Sequence, residues 1–176
     1  MNKKLLKIYI AGTIFSILLG SFLHFTYAMS GNRFIIGLFS AVNESVWEHL
    51  KLAVFPFVFF GILEIFLFKK EIKKFLFAKL TECLIAPIFI IVFFYTYTGI
   101  IGKSVLVVDI LSFVVAVILG RILSYRIMKR KEVEFSAILS GVCLILIILS
   151  FVLFSINPPR ILLFRDSVTG GYGMKK

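Results

Sequence analysis

Five apolar runs, each about as long as a lipid bilayer is thick, govern what this chain can fold into. They occupy residues 5–28, 50–68, 75–97, 105–125 and 135–156. A helix rising about 1.5 Å per residue needs about 20 apolar residues to cross the hydrocarbon core. The sequence therefore predicts an all-α fold, a polytopic membrane helix bundle of five transmembrane helices in one integral domain over residues 1–176. Composition closes off the water-soluble alternative. Hydrophobic residues make up 60% of the chain and charged ones 16%, whereas soluble domains carry about 45–50% and about 25%.

The first run has the basic start, Lys3 and Lys4, and the small residue near its end, Ala28, of a secretory signal. Its apolar stretch exceeds the usual 7–15 residues of a signal core, so it is expected to be retained as a span. Basic residues cluster at Lys3–Lys7, Lys69–Lys79 and Arg121–Lys131, all on the side of the N-terminus. The opposite side keeps the scattered Arg33, Lys51, Lys103, Arg160, Arg165, Lys175 and Lys176. The positive-inside rule then places the N-terminus in the cytoplasm and the C-terminus outside. Segments 29–49 and 157–176 are accordingly expected at the outer face.

The net charge of +11 is explained by those flanking clusters, which argues against a nucleic-acid partner. Cys83 and Cys143 lie inside apolar runs without metal-binding spacing and read as small core residues. No internal repeat is visible, which gives no support to an inverted-repeat transporter. His-Glu-x-x-His, Gly-x-Ser-x-Gly and phosphate-loop motifs are absent from the sequence.

The unusual polar residues concentrate at the expected outer face. His24 continues a row of small residues, Gly12, Ser16 and Gly20, and Asp109 precedes a similar row, Ser112, Ala116 and Gly120. Such rows let helices approach closely, so both ionisable groups are expected to face the bundle. A His24–Asp109 hydrogen bond is one structural reading. Ahead of the second span, Asn43 reads as the N-cap, Glu44 and Glu48 as acids at the positive helix end, and Trp47 as an interfacial anchor. Glu44 and Glu48 sit four apart on one helical face, where like charges repel and a cation, Lys51 among them, would hold them together. His24, Glu44, Glu48, His49 and Asp109 are thus candidate ligands of a divalent metal, zinc or iron suiting mixed N/O donors.

Pro56 and Pro87 leave the carbonyls of Leu52 and Cys83 without their helical partners. Glu64 reads as an edge residue within reach of Lys69, and Glu82 with Thr81 as a second polar point near the inner leaflet. Pro158 and Pro159 stop the fifth helix. The tail should then lay Ile161–Phe164 along the interface, turn at Asp166–Gly173, and offer Arg160 and Arg165 to an outer acidic cluster or lipid phosphates.

At Asn43–Lys51, Asn-Glu-Ser-Val-Trp-Glu-His-Leu-Lys, and at Asp166–Gly173, Asp-Ser-Val-Thr-Gly-Gly-Tyr-Gly, the chain resembles a family of small, uncharacterised bacterial integral membrane proteins known mainly from Gram-positive genomes. These carry Asn-Glu-Ser-x-Trp-Glu-His-Leu-Lys before the second span and end in Asp-x-x-Thr-Gly-x-Tyr-Gly. The resemblance covers almost the whole chain. It implies a multi-pass protein of the bacterial cytoplasmic membrane, and nothing about chemistry. Its motif positions here are Asn43, Glu44, Trp47, Glu48, His49, Asp166, Thr169, Gly170, Tyr172 and Gly173.

Three functions remain open on these residues. The leading one is an outer pocket of His24, Glu44, Glu48, His49 and Asp109, covered by the tail, that binds a cation, proton or lipid headgroup. A membrane-embedded hydrolase of a lipid or envelope substrate would use a metal-bound water with Glu44 or Glu48 as base. A structural or accessory subunit would use the same groups only for capping and packing.

Overall fold

A computed structural model of the chain describes residues 3–131 and 135–174. Lys175 and Lys176, counted above among the outer basic residues, lie outside the described residues. The described residues form helices α1 (Lys3–Met29), α2 (Phe34–Gly37), α3 (Val46–Leu67), α4 (Ile72–Ile101), α5 (Leu106–Met128) and α6 (Ala137–Ile156). Short 3-10 turns at Lys69–Glu71 and Leu162–Phe164 complete them. Five of the helices, all but α2, are long and apolar enough to cross a membrane.

α3 is the axis of the bundle. Buried residues make up 56% of its most apolar window, against 17–28% in the other long helices. α1 and α4 flank it, α5 packs on α4 and α1, and α6 packs on α4. The core joins Phe55, Phe57 and Val54 of α3 to Leu23, Cys83, Ala86, Val117, Leu144 and Phe151 from its neighbours. The outward faces are apolar as well, with Leu18 66%, Ile100 81% and Ile138 80% exposed. Side chains of this kind on every outer face are what lipid contact requires.

The small-residue rows do what their spacing predicts. Tyr9, Gly12, Ser16, Gly20, Leu23 and Tyr27 line the buried stripe of α1. At Gly20 an added Cβ would strike the carbonyl of Leu52, the carbonyl that Pro56 leaves without a helical donor. α1 therefore approaches α3 where the α3 backbone is locally open. Ser112, Ala116 and Gly120 form the matching stripe of α5.

Two helix ends depart from the expected bounds. α3 begins at Val46 because Ser45, not Asn43, is its N-cap, its hydroxyl accepting from the Glu48 N–H at 3.4 Å. Glu44 thus precedes the helix and does not share a helical face with Glu48. α4 continues to Ile101, and the hydroxyls of Thr96 and Thr98 are satisfied within it by donating back to the carbonyls of Val92 and Phe94. It ends where Gly102 takes φ 82°, a left-handed cap.

Candidate metal centre

Three side chains from two separate stretches converge where the end of α1 meets the start of α3. His24 lies near the end of α1, Glu44 just before the N-cap, and His49 in the first turn of α3. One ligand atom from each of the three lies within 4.8 Å of the others. His49 Nε2 is 3.3 Å from Glu44 Oε2, and His24 Nε2 is 4.0 Å from Glu44 Oε1. The imidazole centroids stand 5.2 Å apart.

Two details orient this trio toward a cation. The Nδ1 of His49 lies 2.8 Å from the carbonyl of Ser45. With Nδ1–H donated there, Nε2 faces Glu44 and His24; protonated, it donates to the Glu44 carboxylate, and on losing that proton it presents the lone pair by which histidines bind metals. His24 has its Nδ1 buried without a hydrogen-bond partner among the described residues, and its Nε2 stands beyond hydrogen-bond range of Glu44 at 4.0 Å. Neither nitrogen of that ring is satisfied by the carboxylate. The His49 side chain bonded to Glu44 holds the Glu44 carboxyl below its usual range, although partial burial pushes the other way. Glu44 is anionic at neutral pH.

The loop that presents Glu44 is fixed from both sides. Ser40 is buried; its hydroxyl donates to the carbonyl of Leu23 and accepts from Thr26 Oγ1 at 2.8 Å and Tyr27 N–H at 3.1 Å. From the other side the C-terminal segment docks on residues 43–45. Asn43 Nδ2 donates to the Gly173 carbonyl at 3.1 Å, and Ser167 Oγ donates to the Glu44 carbonyl at 3.0 Å. Asp166 Oδ1 accepts the Glu44 N–H at 3.3 Å. The two stretches singled out by resemblance, 43–51 and 166–173, are thus in direct contact.

Asp166 is the knot of the tail. Burial works to raise its pKa, but the hydroxyl of Thr169 and the amides of Val168, Glu44 and Thr169 outweigh it and hold the carboxyl below its usual range. Tyr172 pairs with Arg165 across an isolated antiparallel bridge, and Phe164 is buried. Arg160 is exposed and makes no ion pair among the described residues.

Glu48 and Asp109 are not part of the trio and bond to other partners, although Asp109 stays within electrostatic reach of His49. Glu48 turns into the bundle, where it pairs with Lys51 at 2.5 Å, accepts Ser155 Oγ at 2.8 Å and accepts the Val42 N–H at 3.1 Å. Lys51 is fully buried and also donates to Ser155 Oγ at 2.8 Å and to the Gly37 carbonyl at 2.9 Å. Lys51, expected as an outer flanking charge, is therefore the internal counterion of Glu48. Asp109 accepts the hydroxyl of Tyr97, whose oxygen also accepts the Val105 N–H at 3.1 Å. The His24–Asp109 hydrogen bond is not formed, because Asp109 is satisfied across the short α4–α5 connection.

Trp47 makes aromatic contacts at this end of the bundle. It stacks on Phe151 of α6 at 4.5 Å and meets Phe164 of the tail at 4.7 Å, so it joins α3 to α6 and the tail.

At the opposite end of the bundle lies a group of charges of which Glu64, Lys79 and Arg121 were expected at membrane edges and Glu82 as a polar point near the inner leaflet. Glu64 and Glu82 are buried with Lys79 and Arg121. Lys79 Nζ is 2.8 Å from Glu64 and 2.6 Å from Glu82, and Arg121 reaches both carboxylates at 3.0 Å. The Arg121 guanidinium also stacks on the Tyr9 ring, its carbon 4.3 Å from the centroid. The four charges cancel, and three helices supply them. A signal was present in the sequence: Lys79 and Glu82 sit three apart in an apolar helix, and Arg121 follows the small-residue row of α5 directly.

Neither curated proteins nor solved structures provide a match to this chain. A family model described as "Family of unknown function (DUF6512)" matches residues 1–174, so the chain belongs to that family.

Proposed function

We propose that this is a multi-pass protein of the bacterial cytoplasmic membrane that holds one divalent transition-metal ion, zinc foremost, on His24, Glu44 and His49 at its outer face. The observation that carries the reading is the convergence of two imidazole nitrogens and one carboxylate within 4.8 Å. Tetrahedral zinc at bond lengths of about 2.0–2.1 Å needs its donors about 3.4 Å apart. The His49–Glu44 separation of 3.3 Å meets that, whereas His24, 4.0 Å from the other carboxylate oxygen and in a set spread over as much as 4.8 Å, would have to close in on the ion.

The orientation rests on the exposed basic residues. Lys3, Lys4, Lys7, Lys69, Lys70, Lys73, Arg126, Lys129, Arg130 and Lys131 gather at the end opposite the trio. Removing the buried Lys79, Arg121 and Lys51 from the tally leaves the asymmetry in place, which favours a cytoplasmic N-terminus.

Two histidines and one carboxylate leave a fourth position for water or a headgroup oxygen, the arrangement of catalytic zinc sites. That open position supports hydrolysis of a lipid or envelope substrate as the second reading, with zinc lowering the pKa of its water to about 7. The side chains of His24, His49 and Glu44 are 29%, 35% and 47% exposed, so the trio is partly open to the surface.

Metal analysis of the detergent-purified full chain after zinc loading and desalting tests the site. About one equivalent is expected, falling in His24→Ala, Glu44→Gln and His49→Ala, with helicity and thermal transition retained. A protein that takes up no zinc, or variants that bind it as the parent does, would leave the trio with a packing role only.

A further inference from the structure

We infer that the cleft at the end of the bundle opposite the trio binds one anionic glycerophospholipid of the adjacent leaflet. The cleft measures about 430 Å³ and opens where the start of α1, the end of α3 and the end of α5 meet. Its lining has two chemically distinct parts. Lys4 of α1 and Lys129, the residue that caps α5, bring ammonium groups from two separate elements, and Leu5, Ile8, Leu67 and Met128 supply an apolar trough beside them. Glu71 also borders the cleft, but its carboxylate is matched by Lys74 at 2.7 Å, so the lysines are left to set the sign of the field.

That pairing of cations with hydrocarbon selects the ligand. A free phosphate would use the lysines and gain nothing from the apolar wall, and a neutral detergent would use the wall and gain nothing from the lysines. A phospholipid with a net negative headgroup uses both, its phosphate between Lys4 and Lys129 and its first methylenes along Leu5, Ile8 and Leu67. Leu67 is 55% exposed, which leaves the trough open toward the surrounding hydrocarbon for the rest of the chains. Basic clefts between membrane helices recognise headgroups in this way. Lys129 is further held in place over the Tyr125 ring, its Nζ 5.5 Å from the centroid. The inference rests on the membrane reading above and is independent of the metal site.

Native mass spectrometry of the full chain, released from detergent containing equal phosphatidylglycerol and phosphatidylcholine, reads the site directly. One phosphatidylglycerol retained in preference to phosphatidylcholine is the expected result. Lys4→Gln with Lys129→Gln should weaken that retention about thirtyfold, two lysines each contributing about 1 kcal/mol at a membrane surface. Ile8→Trp, which fills the trough and leaves both charges, should also displace the lipid. Equal retention of the two lipids, or preference unchanged in both variants, overturns the inference. So does equal loss in the control Lys73→Gln with Lys103→Gln, which would mark a general charge effect. Retention of the protein in alkali-washed membranes checks the membrane reading separately, so failure of either is recognisable.

Discussion

Asp166 accepts the backbone N–H of Glu44 across 122 positions of sequence, and through that bond the C-terminal segment fixes the loop that carries the central carboxylate of the trio. The sign of its acid dependence follows from the shift. The folded carboxyl titrates below its ordinary value of 3.8, so its contribution is complete above that value and is lost as pH falls through the folded one. The single Trp of the chain, Trp47, touches Phe164 of the tail and reports docking. Tryptophan emission should change on acidification below about pH 4, and Asp166→Asn should show the released spectrum already at neutral pH. Unchanged emission in that variant would mean the segment is held without Asp166.

A second expectation concerns Glu48 and Lys51, buried together with Ser155 between them. Removing one charge leaves the other uncompensated in a dry site, which costs about 3–5 kcal/mol. Glu48→Gln alone should therefore lower the thermal transition in detergent sharply. Glu48→Gln combined with Lys51→Met should recover most of the loss, because no charge is then left to desolvate. If the double variant is as unstable as the single one, hydrogen bonds from Ser155 and Val42, and not the ion pair, hold this end together.

The sequence made the helices legible and left the pairing of charges mostly hidden, for a physical reason. Hydropathy is a local sum, so each long helix announces itself within its own run. Which way a charge turns depends on neighbours far along the chain. Glu64, Lys79 and Arg121 stand near run ends and looked like headgroup contacts; they turn inward because each meets an opposite charge from another helix. Asn43 and Ser45 are both good caps two residues apart, and the structure gives the role to Ser45 while Asn43 Oδ1 accepts the Ser45 N–H at 2.9 Å. His24, Glu44 and His49 were named among five candidates, but nothing local separated them from Glu48 and Asp109. That separation came from Lys51 and Tyr97, the partners that Glu48 and Asp109 bond instead.

Gly12 offers a test of the charged group at the opposite end. A Cβ at this position would clash with the guanidinium of Arg121, so the absence of a side chain makes room for the arginine between α1 and the two carboxylates. Gly12→Ala should destabilise by about 1–3 kcal/mol, the usual cost of overpacking. In an Arg121→Met background the same change should cost less, since the flexible methionine yields where a paired guanidinium does not. A double-mutant cycle on thermal or denaturant unfolding measures the coupling; additive effects would show that Gly12 acts through Phe60, the other neighbour of that space.

Zinc binding should carry the titration of the two imidazoles. Glu44 is held ionised by its His49 contact and supplies no competing proton at neutral pH. A metal must instead displace protons from His24 and His49, whose type ordinarily titrates near about 6.5. Affinity should fall as pH drops through the range in which the two imidazoles take up protons, approaching two protons, or about a hundredfold, per pH unit once both compete. His49→Ala should bind more weakly and with a slope nearer one proton, whereas Glu44→Gln should bind more weakly with the slope preserved. Competition with a chromophoric chelator between pH 5.5 and 7.5 resolves these slopes. Affinity independent of pH over that interval would remove the histidines from the coordination sphere, because no ligand set containing neutral imidazole escapes proton competition there.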